Sequence, residues 1–281
     1  RIRRVVGLPL LAAVVLLLLL GSGGIVYYQR QLIPEAPHDP VSVVLADIEN
    51  RTGDPTFDNT LEPQIKRALE GAGFITAYDR TGISRTLGVK PPEKLDENVA
   101  REVAVKQGLG VVVSGAIAPA GNGYEVSIKA TRTVSGDVIT AARARAGSRD
   151  RVLETANRLV TNVRQALGDK ASESEQMFAM ASLSATSLEV VRYYGQAMEA
   201  QSKNDFEQAR ENFLKTVELD PRFGIGYQGL SVISRNLGRL DDADKYIKQA
   251  LQYLDGMTER ERFVTRGMYY RVSGDYEQCV K

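Results

Sequence analysis

Tryptophan is absent from this 281-residue chain, and cysteine and histidine occur once each, at Cys279 and His38. A lone cysteine closes no internal disulfide and forms no paired-cysteine knuckle, so neither redox chemistry nor structural zinc holds the fold. His38 stands in a proline-rich stretch with no partner that would make it a base or a metal ligand, which excludes a histidine-dependent triad within these residues. There is no Walker loop, no His-Arg-Asp and no Asp-Phe-Gly, so no kinase core lies between Arg1 and Lys281. Charge of one sign is lacking as well: 36 Lys and Arg against 35 Asp and Glu give a net +1. That balance exerts no global pull toward nucleic acid, and Arg143, Arg145, Arg149 and Arg151, on a strand edge and a helix start, read as a solvated face. Neither a catalytic residue nor a cofactor is expected in this chain.

Two patterns that resemble sites have duller explanations. Gly224, Gly226 and Gly229 spell GxGxxG, but no strand precedes them, so they read as close helix contacts rather than a pyrophosphate cradle. Asp47, Glu49, Asp54 and Asp58 are rich in carboxylates, yet Arg51 occupies the third ligand position of an EF-hand loop and no closing Glu follows. Turn and capping roles fit them better.

Against these absences stands one long uncharged run, Val5 to Gln29. A helix of about 20 residues crosses the ~30 Å hydrocarbon layer, and this stretch is long enough to do so, with Tyr27 and Tyr28 at its end. Arg1, Arg3 and Arg4 crowd its front and only Arg30 follows closely, which predicts a cytoplasmic amino-terminal side and an extracytoplasmic remainder, as in a single-pass inner-membrane protein. The competing reading is a signal peptide cleaved at the small-residue GSGG stretch. A start on Arg rather than Met suggests a preceding cytoplasmic part. Residues 31–40, with three prolines, form a stiff stalk.

From Val41 the patterning is that of a folded domain. VSVVLADI is a β-branched strand. Leu61, Ile65, Ala68 and Leu69 recur at helical spacing, with Pro63 tolerable in the first turn. A second strand covers Phe74 to Tyr78, and Asp96 caps a helix with Val99, Val103 and Ala104 on one face. Three antiparallel strands follow, the middle one alternating Tyr124, Val126, Ile128 and Ala130 against Glu125, Ser127, Lys129 and Thr131. Asn122-Gly123 and Ser135-Gly136 are expected to supply the positive φ of the hairpins. Asp150 is expected to cap a last helix, whose apolar stripe runs from Val152 to Leu167. The order βαβαβββα predicts a two-layer α/β (α+β) domain over 41–168, with strands sheltered on one side by helices.

The stretch from the strand into ENRTGDPTFD, and then GLGVVVSGAIAPAGNGYEVSIKATRTVSGDVI, resembles the extracytoplasmic domains similar to the TolB amino-terminal and curli-secretion fold of bacterial membrane proteins. The resemblance implies a binding domain without catalytic residues. Such domains recur behind serine/threonine kinases or winged-helix regulators and ahead of tetratricopeptide repeats.

Residues 169–186 read as a linker that has room for some helix. The remainder, 187–281, is repetitive: Phe206, Leu240 and Tyr276 occupy equivalent places, as do Ala209, Ala243 and Cys279, at the tetratricopeptide period. Tyr193, Ala209, Phe213 and Pro221 fit a first repeat, and Tyr227, Leu230, Ala243 and Ala250 a second. A third starts near Arg260 with Phe263, Gly267, Tyr270 and Gly274, and its second helix is expected to continue past Lys281. This predicts an all-α repeat solenoid behind the α/β domain. The first helix of each repeat is expected to expose Val191, Tyr194, Met198 and Gln201, then Ile225, Gln228, Val232 and Arg235, as a groove for a protein or peptide; the alternative is that these side chains pack against the α/β domain. The functions in view are a membrane-anchored sensor or scaffold, the receptor part of a transmembrane kinase whose catalytic domain lies upstream, and an envelope assembly factor.

Overall fold

The computed structural model describes residues 39–90, 94–183, 185 and 187–274. The span expected over Val5–Tyr28, the stalk up to His38, and Tyr276 and Cys279 of the third repeat lie outside the described residues. No helix among the described residues is long and apolar enough to cross a membrane.

The sheet has five strands in the order β2-β1-β3-β4-β5: β1 Val41–Asn50, β2 Ile75–Tyr78, β3 Val111–Ala120, β4 Gly123–Arg132 and β5 Val138–Ala146. The first three are parallel, with Val41 against Ile75 and Val43 against Val111, and β4 and β5 return antiparallel. Its helices are α1 Leu61–Glu70, α2 Arg80–Leu87, α3 Glu97–Lys106 and α4 Val152–Ala166. Because β1 lies in the interior of the sheet, both its faces are apolar. Val43 and Leu45 join Leu61, Ile65, Leu69, Leu159 and Val160 in the core under α1 and α4. Val44 and Ala46 join Ile83, Ala100, Ala104 and Val112 in a second, smaller core under α2 and α3.

Four expectations change here. The order is βαβααβββα, since α2 intervenes: Asp79 caps it by accepting from the Gly82 amide at 2.7 Å, and Gly88, at φ +66°, ends it. The sheet is therefore covered on both faces along β2-β1-β3, three layers rather than two, and no described residue covers the outer face of β4 and β5. Asp150 caps nothing; Arg149–Arg151 form a 3₁₀ turn that runs into α4 without a side-chain cap. In the β3–β4 hairpin the positive φ belongs to Gly121 (+62°), one residue before Asn122-Gly123, because Ala120 already pairs with Gly123 and leaves Gly121 first in the turn. Gly136 has the positive φ expected of it.

Within the expected linker lies an 11-residue helix, α5 Glu173–Leu183, whose Met180 is buried. Then come α6 Leu188–Ser202, α7 Phe206–Leu219, α8 Gly224–Asn236, α9 Leu240–Leu251 and α10 Glu259–Ser273. They pair as α6 with α7 and α8 with α9. Ala209 and Ala243 are buried where the helices approach, and the Ser231 hydroxyl donates to the Ala243 carbonyl at 2.8 Å. The GxGxxG glycines are helix contacts: a Cβ at Gly224, Gly226 or Gly229 would fall within 2.7 Å of Met257, Val217 or Phe213 respectively. The α/β part and the repeats belong to one compact unit that begins at Pro40.

Candidate functional site at the junction of sheet and repeats

α1 is buried on two sides. Its apolar stripe faces the sheet, and a second, polar stripe of Thr60, Gln64 and Arg67 is buried as well. The Gln64 amide donates to Asn157 Oδ1 on α4 at 3.0 Å. Arg67, only 4% exposed, reaches from α1 into the repeats. Its Nε donates to Glu261 Oε1 at 2.9 Å and its Nη2 to the Gly256 carbonyl at 2.7 Å and Glu261 Oε2 at 3.4 Å, while Nη1 donates to the Leu183 carbonyl. Its guanidinium also lies 5.1 Å from the Phe223 ring centroid. One side chain thus ties α1 to the end of α5, to Phe223 at the start of α8, to the 3₁₀ turn Leu254–Gly256 and to α10. The planar fork suits a carboxylate and carbonyls at once, which an ammonium would not. Glu261 is itself held by the capping box of α10, where its Oε2 accepts from the Thr258 amide at 2.8 Å.

Close backbone approach seals the junction elsewhere. On α6, a Cβ at Gly195 would come within 2.4 Å of the Asn59 carbonyl, and Asn59 Nδ2 donates to Glu199 at 3.2 Å. Behind α1, Arg164 donates to the Ala68 carbonyl and pairs with Asp169 at 2.6 Å.

Between α1, β2 and α2 on one side and α6, α8 and α10 on the other lies a cleft of about 320 Å³. Tyr194, Met198, Gln228 and Val264 face Lys66, Thr76, Tyr78 and Thr86 across it. Its charges are matched within the protein: Lys66 with Asp79 at 3.1 Å, Arg67 with Glu261, and Arg260 near Glu70 at 3.9 Å. Burial alone would lower the Lys66 ammonium, but Asp79 and Glu70 outweigh it and hold it above the usual lysine range; burial pushes the Glu70 carboxyl up.

A smaller cavity of about 60 Å³ adjoins it, bounded by Asp47, Asn59, Glu62, Arg80, Gly195 and Met198. Glu62 Oε1 accepts from the Ile48 amide at 2.7 Å, and its Oε2 is buried with no hydrogen-bond partner among the described residues. Desolvation pushes this carboxyl up to about 7, helped by the neighbouring Asp47 and Asp79, against the pull of the Ile48 amide. Asp47 is held by Arg80 in two hydrogen bonds of 2.7 and 2.6 Å.

The eight residues expected to line an open groove are divided by this packing. Val191 and Ile225 are 2% exposed and Gln201 5%, so these three form interior and not surface. The reason is that α6 turns this side toward α1 and α7, and α8 toward α7 and α9. Tyr194 packs edge-on against Phe213 and Phe223 and, with Met198 and Gln228, borders the cleft; Gln228 also donates to Thr265 Oγ1 at 2.9 Å. Val232 is half-buried and Arg235 exposed, both away from the cleft. The carboxylates considered for a cation are used locally: Asp54 accepts from the Thr56 amide, Asp58 from Asn50, and Glu49 pairs with Arg51.

Residues 192–223 and 226–253 match the tetratricopeptide repeat family. No curated protein matches the sequence. Among solved structures, the chain is similar to the LpoB C-terminal domain from Salmonella enterica, at 16% identity over 42% of this chain and 90% of that one, with a TM-score of 0.33. It is also similar to the PelC dodecamer from Paraburkholderia phytofirmans, at 19% identity over 49% of this chain and 94% of that one, TM-score 0.33. A third likeness is to TolB from Acinetobacter baumannii, at 19% identity, covering 47% of this chain and 29% of that one, TM-score 0.33.

Proposed function

We propose that these residues are the non-catalytic, protein-binding region of a membrane-anchored envelope protein, in which the α/β domain and the tetratricopeptide repeats act as one body and hold a short polypeptide segment in the cleft between them. The observation that carries this is the placement of Tyr194, Met198, Gln228 and Val264: they meet α1, β2 and α2 around a 320 Å³ cleft instead of lining an open trough. That volume sits at the lower end of the ~300–1,000 Å³ usual for small ligand sites, so it suits a few residues at a time, not a long helix. Because its charged groups are matched in pairs, a neutral stretch of backbone with one or two apolar anchors fits better than a strongly charged ligand. The anchor belongs to the same reading: the uncharged run Val5–Gln29 and the arginines before it support a single span with the cleft outside the cytoplasm.

A photo-crosslinking residue at Val264, at the cleft mouth, is expected to capture a partner, and the same residue at Lys248 is not. Met198→Arg should abolish the Val264 product while the protein keeps its melting temperature. Equal yields from both positions would refute the cleft. For the anchor, alkaline phosphatase fused after Lys281 is expected to be active in a bacterial host; an inactive fusion would overturn the topology without bearing on the cleft.

A further inference from the structure

β5 closes the sheet on one side only. Eight of its nine residues pair with β4, Ile139 being passed over at a bulge, and no strand lies beyond it among the described residues. A free edge presents backbone donors and acceptors at every second residue, which soluble proteins either blunt or use. The side chains of β5 alternate: Ala142 and Ala144 pack on the core under α4, while Ala141, Arg143 and Arg145 are exposed on the opposite face. Among the described residues nothing covers that outer face, because α3 stops over β3. It forms a shallow concavity of about 1,150 Å³ with Ala116, Ser127 and Ala141 on its floor.

The charge along β5 itself is positive, while Glu49, Asp58, Asp96 and Glu97 line the far side of the concavity. From Val138 to Arg151 there are four arginines and a single acid, Asp150. Arg151 is engaged by Glu154 at 3.3 Å, and Arg149 stands 4.0 Å from Asp54. Arg143 makes no ion pair among the described residues. Arg145 turns to the Ala120 carbonyl at 2.9 Å instead of to Glu125, which lies opposite it in register. These two guanidinium groups are two residues apart on one face, the spacing at which alternate side chains of an added strand would stand. A second copy pairing antiparallel through β5 about Ala144 would set Arg143 against Arg145, so the same residues that invite an acidic strand repel that symmetric self-complex.

We propose that the β5 edge is a second binding surface, taking an extended acidic segment as a sixth strand, with carboxylates at alternate positions on Arg143 and Arg145. The backbone supplies the affinity and the arginines select the sequence.

The test uses the full chain in mild detergent and a fluorescent peptide alternating glutamate with valine, read by anisotropy. The glutamate peptide should bind and its lysine counterpart should not. R143E/R145E should weaken glutamate-peptide binding about tenfold and transfer binding to the lysine peptide, since two exposed pairs are reversed; R143A/R145A serves if the reversed variant melts early. Methylating every second amide should also cost about tenfold in one of the two registers and little in the other. Unchanged binding by both methylated peptides would mean a cationic patch without strand pairing, and the proposal would fall. It would fall equally if the peptide did not bind while anionic phosphatidylglycerol vesicles did so in an Arg143-dependent way.

Discussion

At the scale of the residue, Glu62 departs from the ordinary behaviour of a glutamate. An unfolded glutamate loses its proton near 4.5, whereas here burial holds the carboxyl up to about 7. Between those values the folded chain binds the proton and the unfolded chain does not, so this residue's contribution is most favourable below pH ~4.5 and declines until about pH 7. Above that, the buried, half-satisfied carboxylate is a constant penalty. Glutamine keeps the acceptor for the Ile48 amide and removes the charge. Glu62→Gln should therefore stabilise the protein at pH 8 by on the order of 2–3 kcal/mol and leave it nearly unchanged at pH 4.5. Urea unfolding at the two pH values measures the gap, and a gap of equal size at both would show that burial is not the cause. Gly195 gives the opposite kind of case, since a methyl group there meets the Asn59 carbonyl, a backbone atom with little room to give. Gly195→Ala should lower stability by about 1–3 kcal/mol despite a better helix propensity.

At the scale of the element, Ala243 and Ala209 mark where paired helices touch, and both are buried. Ala243→Leu should lower the melting temperature through overpacking of about 1–3 kcal/mol, and Lys248→Leu, on an exposed position of the same helix, should hardly move it. Comparable losses from both would mean that the helices pair in another register. Elements whose cause is local were legible in the sequence. The period of two in β4 and the cap at Asp96, which accepts from the Asn98 and Val99 amides, stand in the structure as read, as does the 34-residue spacing of the alanines. Elements whose cause is tertiary were not. α2 has one fully buried apolar residue, Ile83, and an internal Gly82, so its eight residues carry no helical stripe. The edges of the expected groove were misread for the same reason: the spacing places Val191 and Ile225 on a helix face but not what that face meets. Two signals did exist at the junction. Gly195 sits inside a helix with no capping role, and Arg67 stands beside the apolar stripe of α1; each marks a close or unusual contact without naming its partner.

At the scale of the whole molecule, the question is whether the sheet domain and the repeats are two modules in series or one cooperative unit. Linked modules would meet through a modest polar interface and move relative to one another. Here the interface is closed by Arg67, whose partners come from positions 183, 256 and 261, and by the approach of Gly195 to Asn59. A buried arginine held by a carboxylate and two carbonyls contributes little net energy over an apolar substitute, because burial costs about as much as the pairing returns. Removing one partner is different, since it leaves the others buried and unpaired, at about 3–5 kcal/mol. The wild-type body from Pro40 onward should thus unfold in one transition, with calorimetric and van't Hoff enthalpies equal. Arg67→Ala should separate it into two, with the repeats, which have few contacts of long sequence separation of their own, melting first. Arg67→Met, of similar length and without charge, removes the donors too and should split the transition likewise, while Arg158→Ala, an exposed arginine on α4, should not. A wild-type chain already melting in two steps, or an Arg67→Ala variant melting in one, would mean that the two parts are coupled by something other than this network, and the cleft between them would then lack the fixed walls that the proposed binding requires.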